Sequence, residues 1–593
     1  MSQADPAPAP AHGGTVAVAA ARRHGARTMF TLSGGHVFPL YDGAVRADPP
    51  MRIIDVRHEQ TAVFAAEATA RLDRDPGLAV LTAGPGVTNG VSAITTAHFN
   101  GSPVVIIGGR APDYRWGSGS LQEIDHPRLL APVTKRAWTE HEAGRVGASV
   151  DEAFRLATAR HRGPVFLDIS LEALFGPAAG DGAGGAVSSA GGGDPDGGSY
   201  PLGPSSPDTP DPVSVAVIAG LLMAARRPVL VLGSDVWLDG AEQAARQAAE
   251  ELRLPVIANG QGRGVLPAGH ELLVTRARSA AFGQADLVIV VGTPLDFRLG
   301  YGEFGGRDGA PRAQVVHVAD AAGQIATHCP LAGSAAGDLT AFFTGLIAAA
   351  GQGGLAGPGR PGGPGGPGGP GVRGGPAGWK SSWLPMLQAA RDQAVAADGP
   401  LLASDADPIH PMRIYGELSK ILDSDAVVIG DGGDFVSYAG KYIEPQRPGG
   451  WLDPGPYGCL GTGLGYAIAA RIARPSAQVV LLLGDGAAGF SLMDADTLVR
   501  HRLPVVMIVG NNGIWGLEKH PMQALYGYDV AADLQPQCRY DQVVAALGGA
   551  GELVTSPAGI GPALRRAFDS GVPYLVNVST DSRVSYPRST TGI

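Results

Sequence analysis

Short apolar runs that end in glycine or polar turns recur along the chain, with alanine-rich stretches of helical spacing between them. In the first third the runs are RTMFTLSGG, MRIIDVRHE, GLAVLTAGPG, SPVVIIGG and GPVFLDIS, and HEQTAVFAAEATARL lies among them. This alternation of strand and helix predicts a parallel α/β sheet. The pattern returns in the middle of the chain as RPVLVLGSDV, GAEQAARQAAEEL, LPVIANGQGRG, ADLVIVVGTP and AQVVHVAD. It returns again near the end as DAVVIGDGGD, AQVVLLLGDGA, LPVVMIVGNNG and VPYLVNVST. Ligands of open α/β sheets bind beyond the carboxyl ends of the strands, where these glycine-rich turns fall. Three such crevices are predicted.

Composition sharpens the division. The 593 residues contain 89 glycines and 48 prolines, well above ordinary usage. The surplus concentrates in 176–212 and in 351–378, which contains GRPGGPGGPGGPGVRGG. The glycine-proline run is too short for collagen and both segments read as flexible linkers. The expected domains are therefore 13–175, 213–350 and 379–593, all three with parallel α/β sheets.

Charge and targeting narrow the function classes. A formal net charge of −10, with no lysine-arginine run, argues against a nucleic-acid partner. The start, MSQADPAPAPAHGG, has no basic segment followed by an apolar one, and the longest apolar runs are of strand length, so neither export nor a membrane is expected. Cys329, Cys459 and Cys538 are odd in number and far apart, which fits a reducing cytoplasm.

The chemistry concentrates in the last third. The strand VVLLL runs into Gly484-Asp485-Gly486, and after a 24-residue interval, 487–510, that ends with the strand VVMIV come Asn511-Asn512-Gly513. Both turns are expected at the same sheet edge. Asp485 and Asn512 offer hard oxygen ligands and the carbonyl of Ile514 a third, a set that suits Mg²⁺ completed by phosphate and water. Gly484 and Gly486 let backbone amides approach a diphosphate. Glycine-rich turns after strands are common, and it is the pair at this spacing that carries the signal.

This GDG and NN pair resembles the signature of thiamine diphosphate (ThDP) enzymes. The resemblance spans almost the whole chain, in the order pyrimidine domain, central domain, diphosphate domain. It implies that Glu59, at a strand-to-helix turn, bonds a ring nitrogen of the aminopyrimidine and favours the imino form that deprotonates the thiazolium to the ylid. Glu67, further along that helix, reads as structural. LTAGPGVTNG (81–90) is similar to the pyrimidine-side loop, with Gly84, Pro85 and Asn89 at the cofactor. GCLGTGLGYAIAA (458–470) resembles the segment with a bulky wedge beneath the cofactor, matched to Leu464, and a carbonyl from Thr462 for the amino group. In IGDGGDFVSYAG (429–440), Gly433, Asp434 and Phe435 stand where the family often has glycine, glutamine and histidine. The resemblance further implies a homodimer or homotetramer whose active sites lie at the subunit interface, Glu59 of one subunit facing Asp485 and Asn512 of another.

Within that family the chain is most similar to acetolactate synthase large subunits and to their relatives, the 2-hydroxyacyl-CoA lyases and oxalyl-CoA decarboxylases. SGGHVFPLYD (33–42) resembles the synthase glycine pair, and Gly34 and Gly35 offer amides to a developing oxyanion. Gln122 and Glu123 in SLQEIDH match a position whose glutamine faces the substrate. Arg298 matches an arginine able to hold a 2-ketoacid carboxylate, and Trp515 could wall the acceptor pocket. The expected reaction joins decarboxylated pyruvate to a second 2-ketoacid, giving a 2-acetolactate as in branched-chain amino acid biosynthesis. Cleavage of a 2-hydroxyacyl-CoA or decarboxylation of a related thioester is the alternative, and a non-catalytic ThDP-binding paralogue a third. The glycine-methionine-histidine-glycine turn usual in FAD-binding synthases is replaced by TRARSAAFGQADLVIVVG. Its ARS stretch looks like the branch that binds ADP or CoA, so the central domain is expected to take either FAD or an ADP/CoA-type nucleotide near Gly292, Arg298 and Asp320. His36 and His98 are the stronger candidates for proton carriers, ahead of His58 and His520.

Overall fold

The computed structural model describes residues 11–178, 209–353, 382–584 and 586. Most of the two glycine-proline segments lies outside the described residues. Three parallel sheets account for the chain, as the strand-helix alternation predicts.

The first sheet comprises β1 (Thr28–Thr31), β2 (Arg52–Asp55), β3 (Gly77–Leu81), β4 (Val104–Arg110), β5 (Ala137–Glu140) and β6 (Val165–Ser170), in the spatial order β2-β1-β3-β4-β6-β5. The second comprises β7 (Pro228–Leu232), β8 (Val256–Ala258), β9 (Leu287–Val291), β10 (Gln314–Ala319) and β11 (Gly333–Ala336), in the order β11-β10-β9-β7-β8. The third comprises β12 (Val427–Asp431), β13 (Trp451–Leu452), β14 (Val479–Gly484), β15 (Val506–Asn511), β16 (Ala550–Val554) and β17 (Tyr574–Ser579), in the order β13-β12-β14-β15-β17-β16. Every residue of β3, β4, β7 and β9 is buried, as helices on both faces of a parallel sheet require.

Strand for strand, the third sheet repeats the order of the first. The repeat makes helix α1 (Glu59–Asp73), which follows β2, and the short α2 (Pro85–Asn89), which follows β3, counterparts of helices that follow β13 and β14. Those are α5 (Thr462–Ala473) and α6 (Asp485–Ser491), preceded in the chain by α3 (Trp383–Leu402) and α4 (Gly433–Tyr442) and followed by α7 (Gly516–Tyr526). The counterparts α1 and α5 pack directly on each other. One apolar core runs through them from Phe30, Ile54 and Phe64 of the first domain to Leu464, Leu481 and Val509 of the third.

The expected boundaries shift where packing overrides composition. Helix α3 falls in the expected third domain, but it buries Trp383, Leu384 and Leu387 in the core of the second sheet, and the Trp383 indole donates to the Pro228 carbonyl at 3.0 Å. The helix before the second glycine-proline segment runs Leu339–Gly353, past residue 350. The first helix of the middle domain starts at Pro212, with Asp211 capping it.

Candidate active site

Turns after successive strands of the first sheet gather the predicted pyrimidine-side residues. Gly34 and Gly35 follow β1, Glu59 follows β2, Gly84 to Asn89 follow β3 and Gln122 follows β4. A Cβ on Gly34 would lie 2.2 Å from Thr82 Cβ, whereas one on Gly35 would meet nothing within 4 Å, so Gly35 opens onto free space. Glu59 opens α1 and is only 7% exposed, and Asn89 Nδ2 donates to its Oε2 at 3.0 Å. Gly84 adopts φ +60° as the cap of α2, and a Cβ there would press to 2.7 Å from Gln122 Cβ. That left-handed, crowded position admits only glycine.

The third sheet supplies the matching set. Register pairs Gly484 of β14 with Gly510 of β15, which brings the Asp485 and Asn511-Asn512 turns side by side. The Asp485 carboxylate is 4% exposed and accepts the amides of Gly486 (3.0 Å) and Gly513 (2.6 Å). Burial pushes it up to about 6 despite those amides, and no arginine, lysine or histidine pairs with it among the described residues. A buried carboxylate without a cation fits a divalent ion. Asn512 Oδ1 accepts the Ile514 amide at 3.2 Å, and a Cβ on Gly484 would meet nothing within 4 Å, so the turn is open where phosphate would approach.

Around these turns the other expected residues take distinct places. Trp515 lies on the turn, its ring 2.4 Å from where a Gly486 Cβ would be, and edge-on to Phe490 at 6.5 Å. Gly433 and Asp434 open α4, Gly433 packed under Leu517 and Asp434 facing Gly516. Phe435 instead fills the space left by the missing Gly510 side chain, inside the core. Leu464, expected beneath the cofactor, is fully buried in the core shared by α1 and α5, where no cofactor can touch it. Thr462 begins α5, so its carbonyl belongs to the helical ladder. Leu460, in the turn just before α5, is the part-exposed leucine. LGTGLGY carries two leucines at similar spacing from glycine, and only the first of them reaches the surface.

Arg298 is not at these strand ends. Its guanidinium grips Asp296 with three contacts of 2.8–3.1 Å and lines a cavity of about 550 Å³ where all three domains meet. Lys135, Arg162, Gly292 and Asp453 share that wall with His98. Burial lowers the Lys135 pKa to about 8 and lowers that of His98, with His161 adding to the latter. Asp320 is engaged by His161 Nδ1 at 2.8 Å and by Arg162 at 3.5 Å. Of the other histidines, His36 bonds Thr82 Oγ1 at 3.2 Å, its pKa lowered by burial and by His126, while His58 caps α1.

Sequence reasoning missed several groups that hold the site. Asp431, closing β12, accepts the amides of Gly461 (3.2 Å) and Gly463 (2.8 Å) and so fixes the start of α5; burial pushes it up to about 7. An aspartate ending an apolar strand was the available signal. Asp494 accepts the Arg57 amide at 2.8 Å and the Thr61 hydroxyl at 2.6 Å, joining the start of α1 to the third domain. Glu67, read as structural, is fully buried and bonded by Asn100, Ser102 and Tyr466.

Each of the three domains matches a family of known proteins. Residues 11–129 match the family described as thiamine pyrophosphate enzyme, N-terminal TPP binding domain; residues 215–346 match its central domain and 431–578 its C-terminal TPP binding domain. The chain is 47% identical, over 98% of both chains, to acetolactate synthase large subunit IlvG of Mycobacterium tuberculosis, and equally to a probable acetolactate synthase of Mycobacterium bovis. It is 32% identical to human 2-hydroxyacyl-CoA lyase 2, over 92% of this chain and 85% of that one.

Proposed function

The chain belongs to the thiamine pyrophosphate (ThDP) enzymes and is acetolactate synthase-like, and from that premise we propose that it decarboxylates pyruvate and joins the remaining two-carbon unit to a second 2-ketoacid. The observation that carries this reading is the buried Asp485, without a cationic partner among the described residues, beside Asn512 at adjoining strand ends. Bound ThDP would supply an acidic carbon whose deprotonated form is a nucleophile for the ketoacid carbonyl, and a ring able to take up the electron pair released with CO₂.

The residues of the chain do the rest. Asp485, Asn512 and the Ile514 carbonyl would hold Mg²⁺, with Gly484 and Gly486 admitting the diphosphate. Gly433 and Asp434 border that side. Glu59, kept in place by Asn89, would hold a proton on the aminopyrimidine, and the Gly84-Pro85 turn would flank that ring. We reassign the wedge from Leu464 to Leu460, and the amino-group contact from Thr462 to the turn 458–461. The Gly35 amide would stabilise the developing oxyanion, Gln122 would face the substrate and Trp515 would exclude water from the acceptor side. Membership of the family supports an active site completed by a second copy of the chain, in a homodimer or homotetramer, with Glu59 of one copy facing Asp485 and Asn512 of the other. No helix among the described residues is long and apolar enough to cross a membrane, and a cytoplasmic setting suits a ketoacid substrate.

The three-domain cavity supports a nucleotide, either FAD or an ADP/CoA-type molecule, with Lys135, Arg162 and Arg298 toward its phosphates and Asp320 beyond them. Because this cavity would also suit the carrier part of an acyl-CoA, cleavage of a 2-hydroxyacyl-CoA is the second reading. Product analysis with ThDP and Mg²⁺ tests both: acetolactate from pyruvate alone supports the first, and cleavage of only the thioester supports the second. The visible absorption spectrum of the purified protein tests for flavin.

A further inference from the structure

Behind Gly84 stands a buried chain of side chains that no part of the proposed chemistry uses. The Gly84 amide donates to His126 Nε2 at 2.9 Å. An accepting Nε2 leaves the ring proton on Nδ1, which faces Asp168 Oδ1 at 3.1 Å. Arg110 Nη1 donates to the other Asp168 oxygen at 3.3 Å, and its guanidinium lies over the Trp116 ring, 3.4 Å from the centroid. His126 and Asp168 are both completely buried. Burial raises the Asp168 pKa, and the bonds from His126 and Arg110 work against that rise in favour of the carboxylate.

The other end of the chain is the reason this matters. Gly84 caps α2, and the last residue of α2 is Asn89, whose amide group holds the Glu59 carboxylate. Gly84 also crowds Gln122, itself at φ +63°. One hydrogen bond to a histidine therefore anchors a five-residue helix that touches Glu59 at one end and Gln122 at the other.

We propose that His126 is a positioning residue for catalysis: oriented by Asp168, it fixes Gly84 and, through α2 and Asn89, the place of the Glu59 carboxylate. The inference rests on the reading of Glu59 given above. Asp168 selects the tautomer, because a carboxylate can only accept from Nδ1. An asparagine there, with its oxygen drawn to Arg110, would turn its NH₂ to the ring, move the ring proton to Nε2 and set donor against donor at Gly84.

Three variants of the full chain, loaded with ThDP and Mg²⁺, test this: His126→Phe, His126→Gln and Asp168→Asn. Each is assayed for kcat and KM with pyruvate, for ThDP affinity, and for the rate of hydrogen–deuterium exchange at C2 of bound ThDP, read by NMR after acid quench. In His126→Phe and Asp168→Asn the exchange rate and kcat should fall together by about ten-fold or more, the scale of one orphaned buried amide. His126→Gln, whose Oε1 can accept from Gly84, should recover most of the loss. Wild-type exchange in His126→Phe or in Asp168→Asn would overturn the proposal, as would a glutamine variant no better than the phenylalanine one. If His126→Phe does not fold, Asp168→Asn, which keeps the shape of the core, decides alone. Failure of the wild-type protein to make acetolactate would instead count against the proposed reaction, since C2 exchange reads the Glu59 arrangement independently of the ketoacid.

Discussion

A Cβ on Gly465 would lie 2.6 Å from the Cβ of Phe64 and 2.9 Å from the Thr61 carbonyl, so α5 and α1 cross there in contact. The crossing joins the helix that starts with Glu59 to the helix that follows the turn beneath the expected cofactor. Any side chain at 465 must push the two domains apart. Gly465→Val is expected to destabilise the protein by about 3 kcal/mol or more and to lower ThDP affinity with it. Thermal unfolding and ThDP titration measure both, and a variant as stable as the wild type would show that the crossing can relax.

Glu59→Gln keeps the shape and the bond to Asn89 while removing the carboxylate. Turnover should fall at least about a hundred-fold, the scale of a lost acid–base group, while ThDP still binds. Near-normal kcat in this variant would sink the assignment of Glu59, whatever its effect on affinity.

Asp485→Ala removes the buried carboxylate that the amides of Gly486 and Gly513 hold and that no cationic side chain pairs among the described residues. Calorimetric titration with ThDP should show tight binding by the wild type only when Mg²⁺ is present, lost on adding EDTA. The variant should show no Mg²⁺-dependent gain. An equal Mg²⁺ effect in both proteins would place the ion elsewhere.

Much of the fold is written in local pattern. Runs such as VVLLL and VVMIV, short, rich in valine and ended by glycine, read as buried strands, and their terminal glycines mark the edge where Asp485 and Asn512 meet. What is not legible depends on contacts distant in sequence. The repeat of the first sheet's order in the third leaves no common sequence to recognise, because only hydrophobicity and turn positions are shared. Helix α3 follows a glycine-proline segment, yet Trp383 and Leu387 bury against the sheet before it. Arg298 reads as a free cation and is bound to Asp296. Leu460 lies in the turn before α5 and Leu464 inside the helix, which is enough to separate a part-exposed position from a core one.

Asp431 gives a pH test of the α5 anchor. Burial holds its pKa at about 7, against the pull of the Gly463, Gly461 and Gly432 amides, whereas an aspartate in the unfolded chain titrates near 3.9. Between these values the folded protein keeps a proton that the unfolded chain has released. Its contribution to stability is therefore greatest at low pH, declines as pH rises from about 4 to about 7, and is constant above that. Asp431→Asn cannot titrate and resembles the protonated form. Denaturant unfolding at pH 5 and pH 8 should show the wild type losing on the order of 2 kcal/mol more than the variant across that interval. The same pH difference in both proteins would mean that Asp431 is ionised throughout, its charge held by the amides at the start of α5.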